Sequence, residues 1–334
     1  MLSRDADACF WVGRYVERAE ATARMVDVHF HSTLENHRPL PNGEHNWQPL
    51  LQISGTADQF ATEYKSCNDR DALYFFTFDE NHRNSILCCW RQARENARAI
   101  REHLASEMWE SLNISYLQMK EWNVDQVMAQ PHVFFRQVKD ASHLFQGILN
   151  RTMLMGETRD WLDAGRFLER AQQTARLLDV RFHDLVVPPM SRNLEVPGSL
   201  DRSRTLQSSV NVDYDTHAWI AVLKSVSAFE MYRKTHQEGI NPALVVDFLV
   251  LNPYFPASVR HGVSRTEGCL RRISGRPGEE FNTEADRLLG RLKSDLSFVR
   301  AEEILAGGLH EFLQRVQEQC LRIGSAINAQ YLSY

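Results

Sequence analysis

The sequence GRYVERAEATARMVDVHFH at residues 13–31 recurs as GRFLERAQQTARLLDVRFH at residues 165–183. The two copies align without a gap at a constant offset of 152 residues, and twelve of their nineteen positions are identical. Most of the other pairs are conservative, such as Tyr15 with Phe167 and Met25 with Leu177. Self-similarity of this length within one chain indicates an internal duplication.

The repeat predicts two related halves, at residues 1–153 and 154–334. Weaker similarity continues downstream, where Trp47 matches Trp219 at an offset of 172 residues. The offset grows across residues 186–212, and because this segment is rich in Pro, Ser and Arg we interpret it as an inserted loop. We expect the tandem halves to pack as one compact domain about a pseudo-two-fold axis, with a site between them.

The composition predicts an all-α fold, an irregular helical bundle. The repeat is rich in Ala, Glu and Arg, which are good helix formers, and the whole chain has only 16 glycines and 11 prolines among 334 residues. The run DALYFFTF at 71–78 is the one strand-like segment, and it fits a buried helical turn equally well. Beyond the first repeat, we predict helices over 84–121, 131–151, 157–186, 215–237, 241–251, 255–273, 280–305 and 308–331.

Charge and hydropathy exclude several classes of protein. The net charge of −5 gives the chain no excess of positive charge for nucleic acid. No run approaches the roughly 18 apolar residues of a membrane span, and the charged first twenty residues lack the apolar core of a secretion signal. The six cysteines form no CxxC pair, so we expect a reducing, cytoplasmic location.

A stripe of alternating charges runs along one side of the repeated helix. At about 100° per residue, Glu17, Glu20, Arg24, Asp27 and His31 share one face, opposite an aromatic and aliphatic face. Three interpretations fit this stripe: a buried ion network, a groove that holds a ligand, or a solvated helix face. The candidate groove residues from the two copies are Arg14, Glu17, Arg18, Glu20, Arg24, Asp27, Arg166, Glu169, Arg170, Arg176 and Asp179.

A second set of charges lies in NSILCCWRQARENARAIREHLASEMWESLN, residues 84–113. Arginines recur there at helical spacing and alternate with glutamates. Since guanidinium groups suit carboxylate and phosphate partners, we add Arg94, Glu95 and Arg98 to the candidate groove. Pairing of these charges within their own helix is the alternative.

The usual catalytic signatures are missing from the sequence. It contains no GxxxxGK[ST], HExxH or GxSxG motif, and no Glu-x-x-His of the kind found in four-helix di-iron sites. We therefore predict no cofactor. Asp27 with His31, and Asp179 with His183, put a carboxylate and an imidazole on one helical face in each copy. The two pairs together have the ligand types of a two-fold Asp₂His₂ metal site. Glu17 and Glu169, with these two aspartates, remain candidate acid/base groups.

The segments WVGRYVERAEATAR, GRFLERAQQTARLLDV and 84–113 resemble the bacterial alpha-E family, an all-helical domain named for a Glu-Arg motif. The resemblance covers essentially the whole chain and includes NPYFPASVR at 252–260, which is similar to a proline-containing stretch of that family. Two departures are Cys88-Cys89, where we expect small residues, and Gln172, which stands where the first copy has Glu20.

The resemblance implies a function through partners. Alpha-E proteins typically occur in gene clusters with a circularly permuted ATP-grasp carboxylate–amine ligase, and often with a transglutaminase-like protein. The family supplies no agreed catalytic residues. The leading hypothesis is an accessory subunit of such a ligase system, which holds a peptide or carrier substrate in the charged groove. The alternatives are a stand-alone enzyme that uses the repeated stripe and a structural interaction module without a ligand site.

Overall fold

The computed structural model describes residues 1–35, 45–186, 216, 218–275 and 283–332, with the side chains of 31–35, 53 and 180–186 left out. Every regular element in these ranges is helical, as predicted. The helices are α1 (Ser3–Glu35), α2 (Gln48–Ser54), α3 (Ala57–Glu63), α4 (Asp69–Thr77), α5 (Ile86–Ala99), α6 (Ser106–Lys120), α7 (Val124–Ala129), α8 (Pro131–Thr152), α9 (Glu157–Val186), α10 (218–225), α11 (Phe229–Thr235), α12 (Pro242–Val246), α13 (Val259–Ile273), α14 (Glu284–Phe298), α15 (Ala301–Ala306) and α16 (Leu309–Ile327).

The two long helices that carry the repeat, α1 and α9, pack against each other at the centre. Gly13 and Gly165 permit this close approach. A methyl group at Gly13 would lie 2.1 Å from the carbonyl oxygen of Leu162, and one at Gly165 would lie 2.0 Å from that of Phe10. The two glycines therefore bring the helix backbones together from both sides, and the charged residues of one copy come within reach of those of the other.

The other helices enclose this central pair. Helix α1 packs against α5 and α8, and α9 packs against α13 and α16. The core is apolar and contains several fully buried tryptophans, among them Trp47, Trp90 and Trp161. The duplication itself stays a prediction from the sequence, and the inserted loop at 186–212 lies almost wholly outside the described residues.

The structure corrects several helix boundaries. The predicted helix over 84–121 is interrupted by a 3₁₀ turn at Arg101–His103 and an extended Leu104, because Ile100 and Leu104 are turned onto the core. The predicted helix over 280–305 breaks at Val299, which is extended. The strand-like run 71–78 forms most of α4 and is helical.

None of the helices in the described ranges is both long and apolar enough to cross a membrane.

Candidate functional site

Two Glu-Arg dipeptides pair reciprocally across the contact between α1 and α9. Arg170 donates to Glu17 through Nε at 2.6 Å and Nη2 at 2.7 Å. Arg18 donates in the same bidentate way to Glu169, at 2.8 Å and 2.9 Å. Bidentate guanidinium–carboxylate pairs are among the strongest charge-assisted hydrogen bonds, and they fix orientation as well as distance. Each dipeptide therefore supplies the carboxylate for one pair and the guanidinium for the other.

These ion pairs are buried. Glu17 is 6% exposed and Glu169 is 1% exposed. Burial by itself raises the pKa of Glu169, but the Arg18 and Arg14 guanidiniums more than offset this, so its pKa lies well below the usual range. Burial also opposes the charge of Arg18 and Arg170, yet the adjacent glutamates raise the pKa of both. Glu169, Arg18 and Arg170 therefore stay ionised at neutral pH.

The network is not the same on its two sides. Glu169 accepts a third hydrogen bond, from Nε of Arg14 at 2.7 Å, and Nη2 of Arg14 donates to Gln172 at 3.0 Å. In the first copy the residue that corresponds to Gln172 is Glu20, a carboxylate with different partners. Glutamine at position 172 therefore pairs with α1, whereas glutamate at the corresponding position 20 pairs with α8.

Glu20 is held by residues from α1 and α8. Nη2 of Arg24 donates to it at 2.7 Å, and Oγ of Ser142 donates at 2.7 Å. Nε2 of His143 lies 3.2 Å from the same carboxylate, and Nε2 of Gln146 lies 3.4 Å from it. Burial raises the pKa of Glu20, but His143, Arg24 and Ser142 together lower it to about 2.

Beside this cluster lies a cavity of ≈ 260 Å³. Its charged wall comes from α1, α8 and α9, and its apolar wall comes from Met25, Leu177 and the loop at 255–257. Ser227 adds a polar edge, with a backbone φ of +54° that non-glycine residues rarely adopt, and its hydroxyl accepts a hydrogen bond from Arg24. The polar lining residues are Glu17, Glu20, Arg24, His143, Gln146, Arg170, Gln173, Thr174, Ser225 and Ser227.

A family model described as a predicted alpha-helical domain with a conserved ER motif matches residues 1–332. The chain belongs to the Alpha-E family. The dipeptide Glu-Arg occurs twice in this sequence, at 17–18 and 169–170, which are the residues of the reciprocal pairs. Searches of curated proteins and of solved structures gave no significant match.

The Alpha-E chain buries most of its predicted stripe, so the interpretation as a solvated face is wrong for these residues. Arg14, Glu20, Asp27 and Asp179 are each less than one tenth exposed. Arg176 is the exception in its contacts: within the described residues it forms no hydrogen bond or ion pair, and burial lowers its pKa. The stripe is therefore a buried ion network whose edge lines a cavity.

Three predicted groove residues of the Alpha-E chain lie elsewhere. Arg94 donates to Asn113 at 2.8 Å and to Glu95 at 2.5 Å, and its guanidinium stacks on Trp109. Arg98 pairs with Glu95 at 3.6 Å and is exposed. Arg94, Glu95 and Arg98 do not line the cavity; their partners lie within α5 and on α6.

The two aspartates proposed as metal ligands bind basic and amide groups of other helices. Asp27 accepts from Lys139 at 2.6 Å and lies 3.3 Å from His132. Asp179 lies 2.5 Å from Nδ1 of His310 and accepts from Gln317 at 2.9 Å. The side chains of His31 and His183 lie outside the described residues. In the described part of the chain, no three His, Cys, Asp or Glu side chains are grouped as metal ligands would be.

Several residues that line the cavity or contact Glu20 were missed by the sequence reasoning. Ser142, His143 and Gln146 come from α8, which has no repeat signature of its own, and Ser227 comes from a turn between short helices. Their spacing on α8 at i, i+1 and i+4 puts them on one face, but only the packing of α8 on α1 shows that this face meets Glu20. The loop at 255–257 was noted in the sequence for its prolines alone.

Proposed function

We propose that this Alpha-E chain is a non-catalytic partner subunit of an ATP-grasp carboxylate–amine ligase system, together with a transglutaminase-like protein. In this proposal the chain holds a peptide or carrier substrate in the cavity between α1, α8 and α9. The sequence resemblance supports the choice of partners, and the shape and lining of the cavity support the choice of role.

The observation that carries the proposal is the composition of the cavity wall. Ligand pockets are mostly apolar with a few polar groups that fix orientation. Here Phe255 and Leu177 supply apolar surface, while Arg24, His143 and Ser227 supply hydrogen-bonding groups at one side. An opening of this kind accommodates a short peptide segment or side chain, with polar contacts at one end and apolar contacts at the other.

The carboxylates are poorly suited to acid/base chemistry. A general acid or base works best when its pKa is close to the operating pH. The pKa of Glu20 is lowered to about 2, and that of Glu169 is lowered further by two arginines. Both groups also have their oxygens engaged by hydrogen-bond donors. These features favour holding over catalysis and weigh against the stand-alone enzyme.

The partnership is tested by a tagged pull-down from the native host, read by mass spectrometry. We expect near-stoichiometric recovery of an ATP-grasp ligase, with or without a transglutaminase-like protein. Recovery of the chain without such a ligase contradicts the proposal.

The role of the cavity is tested by filling it. Ala21 lines the cavity on α1, so Ala21→Phe places a ring inside it, whereas Ala99→Phe adds the same ring on an exposed face of α5. With the ligase recovered by the pull-down, we expect Ala21→Phe to abolish amide formation on the substrate and Ala99→Phe to leave it unchanged. Circular dichroism checks that both variants fold. Full activity of a folded Ala21→Phe variant, still bound to the ligase, favours the structural interaction module instead.

A further inference from the structure

One face of α9 continues from the cavity toward the N-terminal end of the helix. Arg170, Gln173 and Leu177 line the cavity, and Arg166 and Asp163 lie one and two turns before them on the same face, since residues three and four apart are neighbours on a helix. Gln146 joins the two regions: it lines the cavity, and Nη1 of Arg166 donates to its amide oxygen at 3.5 Å. Gln146 therefore links Arg166 to the wall of the cavity.

Three guanidinium groups surround one aromatic ring in this region. The guanidinium carbons of Arg166, Arg265 and Arg170 lie 4.5 Å, 5.1 Å and 5.9 Å from the ring centroid of Phe167. Arg265 reaches the ring from α13, which packs along α9 through Gly262. Like charges repel at this spacing, so a group of three needs compensation by anions.

The carboxylates nearby compensate this charge only in part. Glu17 forms an ion pair with Arg170. Asp163 forms ion pairs with two arginines, Arg166 at 2.7 Å and Arg159 at 3.7 Å. Arg265 is exposed and makes no ion pair or hydrogen bond within the described residues. Four arginines thus share two carboxylates, and the uncompensated charge lies at the solvent-facing end of the cluster.

Arg166 also has an unused donor. Its Nε is buried and has no hydrogen-bond partner, although its Nη2 faces Asp163. Buried donors are normally satisfied, so such an atom calls for an explanation. Burial lowers the pKa of Arg166, and the positive charges of Arg170 and Arg265 act in the same direction. An added negative charge at this place would favour the ionised form of Arg166.

We propose that Arg265 and Arg166 form a binding site for an oxyanion, a carboxylate or a phosphate, next to the cavity. Guanidinium groups bind both anions in a planar, bidentate manner. The biological role of the site rests on the proposed function: the anion is the terminal group of the substrate whose remainder occupies the cavity. The binding step itself belongs to the isolated chain and needs no ligase.

The test is a titration of the purified full chain at constant ionic strength, by isothermal calorimetry, with inorganic phosphate in one arm and acetate in the other. Arg265→Gln removes the exposed guanidinium without disturbing a buried pair. Arg315→Gln is the matched control, because Arg315 is also exposed and stacks on a single ring, Phe312, at 5.9 Å. We expect saturable binding that is at least tenfold weaker in Arg265→Gln and unchanged in Arg315→Gln. The anion that binds more tightly identifies the chemistry.

The proposal is overturned by the absence of saturable binding of either anion, or by the same affinity in wild type and Arg265→Gln. Equal weakening in Arg265→Gln and Arg315→Gln also overturns it, because the effect is then one of net charge. Anion binding without recovery of a ligase in the pull-down would leave the site standing and remove the partnership. Recovery of the ligase without anion binding would do the reverse.

Discussion

Glu17 and Arg170 lie 153 positions apart in the chain and form a bidentate ion pair, with 2.6 Å between Oε1 and Nε. The reverse combination, Glu169 with Arg18, forms the same pair on the other side of the contact between α1 and α9. Taking charges out of water costs free energy, which excellent geometry recovers in large part. The two pairs therefore act mainly on specificity: they hold one register of α1 against α9, since a slip leaves buried charges unpaired.

The first prediction rests on the number of arginines that pair with each glutamate. Glu169→Gln leaves two buried guanidiniums, those of Arg14 and Arg18, without a counter-charge, and Glu17→Gln leaves one. Breaking a buried pair by removing one partner typically costs about 3–5 kcal/mol. We expect Glu169→Gln to reach this range and Glu17→Gln to cost less, as measured by urea unfolding.

The exposed pair of Glu284 with Arg287 provides the control for these two variants. Glu284→Gln should give the same unfolding midpoint as wild type, because exposed ion pairs contribute little. If Glu169→Gln unfolds at the same urea concentration as Glu284→Gln, the Glu169 network is solvated in solution, and the register argument is wrong.

Most of the fold follows from the sequence because its signal is local. The repeat is rich in Ala, Glu and Arg, which have high intrinsic helix propensity. The breaks near Ile100 and Val299 do not follow, since neither has a glycine or proline beside it. There the chain leaves the helix to bury side chains such as Ile100 and Leu104, a choice made by tertiary packing.

The sequence pointed to candidate site residues only where the same residue occurs in both copies of the repeat. Retention of the same charges in two copies singled out Glu17, Arg18, Glu169 and Arg170, but the partner of each depends on how close the helices lie. That distance is set by Gly13 and Gly165, whose significance shows only when the opposite backbone is in place. Helical spacing alone also suggested Arg94, which instead stacks on Trp109 of α6.

The second prediction concerns pH. The hydrogen bond of His143 with Glu20 raises the pKa of this imidazole above its usual 6.5, against the opposing effects of partial burial and of Arg24, while Asp140 adds to the increase. A raised pKa in the folded state means that the stabilisation is fully present below about pH 6.5 and is lost as the pH rises through the folded value. Because His143 is about half exposed, the contribution is at most about 1 kcal/mol.

The measurement is the free energy of unfolding of wild type and His143→Gln across this range. Glutamine keeps a hydrogen-bond donor but does not titrate, so the advantage of wild type should be largest at mildly acidic pH and should shrink toward alkaline pH. Parallel stability profiles of the two proteins would show that the contact with Glu20 does not raise the pKa of the His143 imidazole.

The third prediction concerns the acid limit of stability. The pKa of Glu20 is lowered to about 2 in the folded chain, despite its burial, because His143, Arg24 and Ser142 bind the carboxylate. A depressed folded pKa means that its contribution is present above about pH 4.5 and is lost as the pH falls toward 2. Glu20→Gln should therefore destabilise at neutral pH and flatten the acid limb of the stability profile, as followed by circular dichroism. An unchanged acid limb would contradict the binding of Glu20 by these three groups.

The fourth prediction uses two glycines with opposite expected effects. Gly13→Ala adds a methyl group 2.1 Å from the carbonyl oxygen of Leu162 and 2.9 Å from the amide nitrogen of Arg166, both rigid backbone atoms. Such overpacking forces α1 and α9 apart and typically costs about 1–3 kcal/mol. Gly147→Ala, on an exposed face of α8 with nothing within 4 Å, should stabilise by about 0.5–1 kcal/mol, because alanine is the better helix former.

Separation of α1 from α9 lengthens the reciprocal ion pairs as well, so Gly13→Ala and Glu169→Gln should not be additive. Residues that share one network show coupling of about 0.5–3 kcal/mol in double-mutant cycles. We expect the double variant to be less destabilised than the sum of the two single variants, because the first change already weakens the pairs that the second removes. Additive effects in urea unfolding would mean that the glycine contact and the Glu-Arg pairs stabilise the helix pair independently.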